Sequence, residues 1–180
     1  MKLIHTRLAS SVALVMFGLS NATAQTTTEP AQVTAFGAWT TSPVFTIGET
    51  INGYTPPGIP DGMGAFERDD EVVIISNHEL RSTQGYPYYL ANGTELMGAR
   101  VSSLSFDKAS RELVDMGLAY DVIYNRAGES VDDSLDLAFG GLNRVCSAGS
   151  CASGQAGVGD DLFLTGAVTG GGTVVAVDVA

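Results

Sequence analysis

Apolar and polar positions in this chain alternate with the short period of β-strands, and the one run of four β-branched apolar residues is Val72-Val73-Ile74-Ile75. Four consecutive β-branched residues fit a pleated, buried strand, and the run has strand length rather than helix length. Ser76, Asn77, His78 and Glu79 follow it directly. Before it lies Pro60-Asp61-Gly62-Met63-Gly64-Ala65-Phe66, a Gly-rich, acid-bearing stretch that reads as a turn feeding the strand through Glu67 to Asp70. Between Arg100 and Val114, Leu104 and Phe106 alternate with Ser103 and Ser105. Asp107-Lys108-Ala109-Ser110 is turn-like, and Leu113-Val114 resumes an apolar strand, which makes a β-hairpin. Leu118 to Tyr124 is a further strand candidate. Asp160 to Thr165 and Thr173 to Asp178 form a second hairpin-like pair across Gly170-Gly171-Gly172.

Phe36, Trp39, Val44 and Phe45 lie among small polar residues and suit one or two irregular strands between Val33 and Phe45. Thr46 to Pro60 carries Pro56-Pro57 and several glycines and reads as a loop, because neither a helix interior nor a central strand tolerates that pair. No stretch shows a helical stripe; Ser130 to Phe139 has room for a short helical turn. Short strands, tight turns and 22 glycines in 180 residues predict an all-β protein of sandwich, barrel or propeller type. The end at Val174 to Ala180, in or just after an apolar strand, reads as the front part of a longer protein.

The first 24 residues stand apart from this pattern. Lys2 and Arg7 precede a mostly apolar stretch from Leu8 to Leu19, and Ala22-Thr23-Ala24 offers a small-x-small cleavage site. That is the three-part layout of a secretory signal, too short and too interrupted for a spanning helix. It predicts export to a periplasmic or extracellular space and no membrane span after cleavage. Residues 25–32 read as a flexible lead, and residues 33–180 as the folded part.

Charge narrows the partners. The chain carries 9 basic and 20 acidic side chains, a formal net charge of -11 that becomes -13 without Lys2 and Arg7. Nucleic-acid binding needs clustered Lys and Arg, so this balance speaks against it. Carboxylates in excess suit hard cations such as calcium or simply confer solubility. Asn77, His78 and Glu79 offer a carbonyl oxygen, an imidazole and a carboxylate within three residues, although strand alternation points His78 away from its two neighbours. Asp61-Gly62 fits either a cation ligand or a tight turn. Glu67, Asp69, Asp70 and Glu71 suit a solvated turn, as do Asp132, Asp133 and Asp136. Cys146 and Cys151 lie in a Ser- and Gly-rich stretch that reads as a loop, where an exported chain can form a small disulfide ring.

Pro60 to Phe66, the apolar strand, and Ser76-Asn77-His78-Glu79-Leu80 together resemble the front of exported proteins related to the PhoX-type alkaline phosphatases. Gly140-Gly141-Leu142-Asn143-Arg144-Val145-Cys146-Ser147 and Asp161-Leu162-Phe163-Leu164-Thr165-Gly166 resemble the same family. The resemblance runs from about Ile59 to Ala180. It implies a β-propeller, here an incomplete set of blades, and a cluster of iron and calcium ions acting on small phosphate esters. By that resemblance Cys146 is an iron ligand. Beside it, the groups of Glu79, Asn77 and Asp61 suit a metal site, and His78 and Glu79 are the expected catalytic residues, His78 contacting a substrate phosphate or orienting a ligand. The implied activity is phosphomonoester hydrolysis by Lewis-acid polarisation of phosphoryl oxygens. The family has a Glu-Glu pair at the end of the strand after the cysteine, and this chain has Ala167-Val168 there. That departure sets a second expectation beside the first, a non-catalytic propeller that binds a ligand or partner.

Overall fold

The computed structural model describes residues 27–169 and 172–179. The expected signal sequence at residues 1–24, residues 25 and 26 of the expected lead, Gly170-Gly171 and Ala180 lie outside the described residues. Nine strands and one 3-10 turn make up the regular structure, with no α-helix among the described residues. The all-β expectation therefore holds.

Strands β1 (Pro60–Arg68), β2 (Glu71–His78), β5 (Arg100–Asp107) and β6 (Leu113–Leu118) form an antiparallel sheet in the order β1-β2-β5-β6. A two-stranded ribbon, β3 (Tyr88–Tyr89) with β4 (Glu95–Leu96), lies in the connection between β2 and β5. The second large sheet is the antiparallel meander of β7 (Val145–Cys151), β8 (Leu162–Ala167) and β9 (Thr173–Asp178).

The apolar run forms the central part of β2, which is paired on both sides. Strand alternation divides its side chains between two cores. Ile75 and Val73 join Phe66, Val101, Phe163 and Val177 in a core shared with the second sheet. Ile74 turns to the other face with Leu104, Leu113 and Met116, which Val44, Phe45, Ile51 and Tyr54 cover. A third cluster, Tyr88, Leu90, Leu96 and Val131, packs around the ribbon.

Several sequence expectations change here. Pro60 to Phe66 belongs to a strand rather than a turn; β1 pairs with β2, and the reversal falls at Asp69-Asp70, with Asp69 at φ 31°. The stretch holding both cysteines is strand β7, not a loop. Leu118 closes β6, and no strand continues to Tyr124. The 33–45 stretch contains no strand, and Phe36 and Trp39 are 90% and 81% exposed. Within the expected lead, Thr27 is buried, its hydroxyl against Thr46 Oγ1 at 2.7 Å and donating to Glu49 at 3.0 Å.

The two expected hairpins are present as β5–β6 and β8–β9. The helical turn is the 3-10 segment Ser134–Asp136, where Asp133 and Asp136 cap backbone N–H groups. The Asp132 and Asp133 amides, donating to its Oδ2, hold the Asp136 carboxyl below its ordinary pKa, so this acidic group has a backbone role.

Candidate metal centre

Two bulges and one strand end build the site. In β1, Pro60 pairs with His78 and Met63 with Ser76, so Asp61 and Gly62 together oppose Asn77. In β7, Val145 pairs with Ala167 and Ala148 with Thr165, so Cys146 and Ser147 together oppose Gly166. A bulge breaks strict alternation and re-aims a side chain. The two bulges meet across the seam between the sheets. A Cβ built on Gly62 lies 2.5 Å from Ala148 N and 2.6 Å from the Cys146 carbonyl oxygen, so only glycine permits this approach.

The approach brings Asp61 beside Cys146. Glu79, the first residue beyond β2, completes the group: its backbone N–H donates to Ile59 O at 2.9 Å, which ties it to the segment leading into Asp61. One carboxylate oxygen from each acid and the Cys146 Sγ lie within 4.8 Å of one another. Asp61 is exposed, whereas Glu79 and Cys146 are half-buried. Two carboxylate oxygens and a thiol sulfur from three separate chain segments at this spacing could hold a single ion.

Asn77 lies beneath the group, fully buried. Its Nδ2 donates to the Cys146 carbonyl and to Thr165 Oγ1, the latter at 2.6 Å. The Cys146 carbonyl can only accept, which fixes the amide orientation and leaves Oδ1 facing away from it. That oxygen is the one buried side-chain polar atom without a hydrogen-bond partner among the described residues. A buried acceptor left unpaired costs about 1–3 kcal/mol, a cost that a cation or water would relieve.

On the other side, Arg144 Nε and Nη2 donate to Glu79 Oε1 at 3.1 and 2.8 Å. Its backbone is fixed at both ends, N–H donating to Leu80 O at 2.7 Å and C=O accepting from Val168 N at 3.1 Å.

No family model, curated protein or solved structure matches the chain. The case for the site accordingly rests on its own residues. The geometry gathers Asp61, Glu79 and Cys146 and sets Asn77 against them. It places His78 elsewhere: the ring lies on the opposite face of β2, with Nε2 2.8 Å from Ser102 Oγ and Nδ1 3.1 Å from Gly58 O. Both ring nitrogens are occupied and the residue is 1% exposed, so it has no face for a substrate. Burial, above all, with a smaller contribution from the Arg100 guanidinium, pulls its pKa down to about 4 and keeps it neutral. Its bond to Gly58 clamps the segment carrying Asp61 to the strand end carrying Glu79, a positioning role.

The cysteines do not form a pair. Both are free, and they stand near opposite ends of one extended strand. Five residues at about 3.3 Å each separate their Cα atoms far beyond disulfide reach. Sequence reasoning passed over Arg144, although it sits two residues before Cys146 in the Asn143-Arg144-Val145-Cys146 run and has a left-handed φ of 51°. Ala167 occupies the same face of β8 as Thr165 by alternation, at the site's edge, and offers no ligand atom.

Proposed function

We propose that the chain is an exported, metal-dependent phosphoester hydrolase of the PhoX-like kind. Asp61, Glu79 and Cys146 are its metal-binding residues. The observation that carries this reading is the convergence of a thiol and two carboxylates, from β1, the end of β2 and β7, within 4.8 Å.

The donor set fits iron better than calcium. A thiolate selects transition ions, whereas calcium takes six to eight oxygens, and the group here supplies only two carboxylates beside the thiol. A bound ion supplies Lewis-acid polarisation of a phosphoryl oxygen. The chain's own residues do the rest. Cys146 and Glu79 hold the ion from half-buried positions, and Asp61 closes the solvent side. Arg144 orients Glu79, and neutral His78 fixes the two segments that bear the acids. The four-stranded antiparallel sheet followed by a second meander is compatible with successive propeller blades, which is the architecture this reading carries.

The test compares the wild-type chain with Cys146→Ser for retained metal, by elemental analysis after anaerobic loading with ferrous iron, and for hydrolysis of a chromogenic phosphomonoester. Stoichiometric iron that Cys146→Ser loses at unchanged circular dichroism supports the reading. A folded wild-type chain that retains no metal sinks it. One observation favours a non-catalytic binding propeller instead: Ala167 faces the seam where a further carboxylate ligand would stand. Iron retained without hydrolysis would select that reading.

A further inference from the structure

The Arg144 guanidinium engages Glu79 in an unusual way. Both of its contacting nitrogens, Nε and Nη2, converge on the single oxygen Oε1, rather than pairing one to each carboxylate oxygen. Oε2 therefore stays available to a cation, and Nη1 has no hydrogen-bond partner among the described residues. The side chain is 40% exposed. The other described arginines near the core are differently engaged: Arg68 pairs with Asp161, and Arg100 is buried against Tyr86 O and the Tyr88 ring. Backbone bonds to Leu80 and from Val168 set where the Arg144 side chain starts, so its place beside the acids does not depend on the ion pair alone.

Charge gives this placement a consequence. As ligands to a cation, Asp61, Glu79 and Cys146 would bring three negative charges to it, the cysteine as its thiolate. A divalent cation alone leaves the group net negative and repels an anionic substrate. With Arg144 the loaded group would be neutral, and the guanidinium keeps Nη1, the nitrogen not turned to Glu79, for a further acceptor. A planar fork of N–H donors matches the geometry of phosphate oxygens.

We infer that Arg144 is the oxyanion-receiving residue of this site, binding a phosphoryl or similar tetrahedral oxyanion through its free guanidinium edge beside the cation. The inference rests on the cation-site reading above and adds the group that recognises the substrate. Arg144 thus has two partners, Glu79 in the resting site and the oxyanion in the loaded one.

The experiment separates the two readings. Wild type, Arg144→Gln and Arg144→Lys are loaded anaerobically with ferrous iron and freed of excess. Iron content is then measured, and inorganic phosphate is titrated calorimetrically into the loaded proteins. We expect Arg144→Gln to keep its iron, since removing a nearby positive charge favours the cation, and to weaken phosphate binding about tenfold or more. Arg144→Lys, which keeps the charge and loses the fork, should fall between. Iron-loaded Arg144→Gln that binds phosphate as tightly as wild type overturns the inference and leaves the metal reading standing. Loss of iron in both variants, with any remaining iron-loaded fraction binding phosphate normally, also overturns it, because Arg144 then only orients Glu79. A wild-type chain without iron removes the metal reading itself.

Discussion

His78 makes the acid stability of this protein a test of its buried architecture. The ring is enclosed between Ser102 and Gly58, and burial is the main reason its pKa falls from 6.5 to about 4. In the unfolded chain the imidazole regains an ordinary pKa. Between these two values the unfolded state binds a proton that the folded state refuses, so stability rises with pH across the window and is lost as pH falls through it. At about pH 5 the unfolded state gains roughly 2 kcal/mol from this proton, and at about pH 4 the difference approaches 3 kcal/mol. Against a typical total of about 5–15 kcal/mol, that is a large share.

The perturbation is His78→Gln, which keeps a donor and an acceptor but cannot titrate. It costs about 1–3 kcal/mol at neutral pH through poorer bonds to Ser102 and Gly58, a cost independent of pH. Urea unfolding should be followed by far-ultraviolet circular dichroism, because Trp39, the sole tryptophan, is 81% exposed and reports little of the core. Wild type should lose about 2 kcal/mol more than the variant between pH 7 and about pH 5, so that the two stability curves converge. Carboxylates that titrate in both proteins cancel in the difference. Parallel curves would show that His78 is solvated and would refute the clamp between the Asp61 and Glu79 segments.

Two further outcomes follow from the seam between the sheets. Gly62→Ala drives a Cβ into backbone atoms of Cys146 and Ala148 that cannot move aside, and should cost about 2 kcal/mol or more by urea unfolding. Wild-type-like stability would mean that β1 and β7 do not approach as described. Cys146 and Cys151, held apart along β7, should both react with a thiol reagent after unfolding without reductant; absence of reactive thiols would place them in a disulfide and overturn the strand geometry.

The parts of the fold written in side-chain character were legible in the sequence. Val72 to Ile75 could only be a strand, although Ile75 alone of the four is buried, and the alternation around Leu104 and Phe106 specified the hairpin. Two stretches were misread for one physical reason. Pro60 to Phe66 and Val145 to Cys151 are rich in Gly, Ser and Ala, residues that locally favour turns, yet both are strands. Gly62 and Gly64 are small because they meet Cys146, Ala148, Ser150 and Phe163 across the seam. Small residues in these strands encode a close approach between sheets, and that partner lies some eighty residues away in sequence, outside any local window.

The same separation explains the candidate site. Asp61, Asn77, Glu79 and Cys146 were recognisable one by one from their chemistry, but their convergence depends on two bulges, and a bulge is a property of register rather than of composition. Alternation correctly set His78 apart from Asn77 and Glu79, because a two-residue period needs no knowledge of the partner strand. Its function then follows from what it holds rather than from what it reaches. A neutral imidazole between Gly58 and Ser102 ties together the two segments that carry the acids, with its ring on the face opposite Asn77. Arg144 escaped notice because a lone arginine before a cysteine has no spacing signature; only its fork onto one oxygen of Glu79 distinguishes it from an ordinary surface cation.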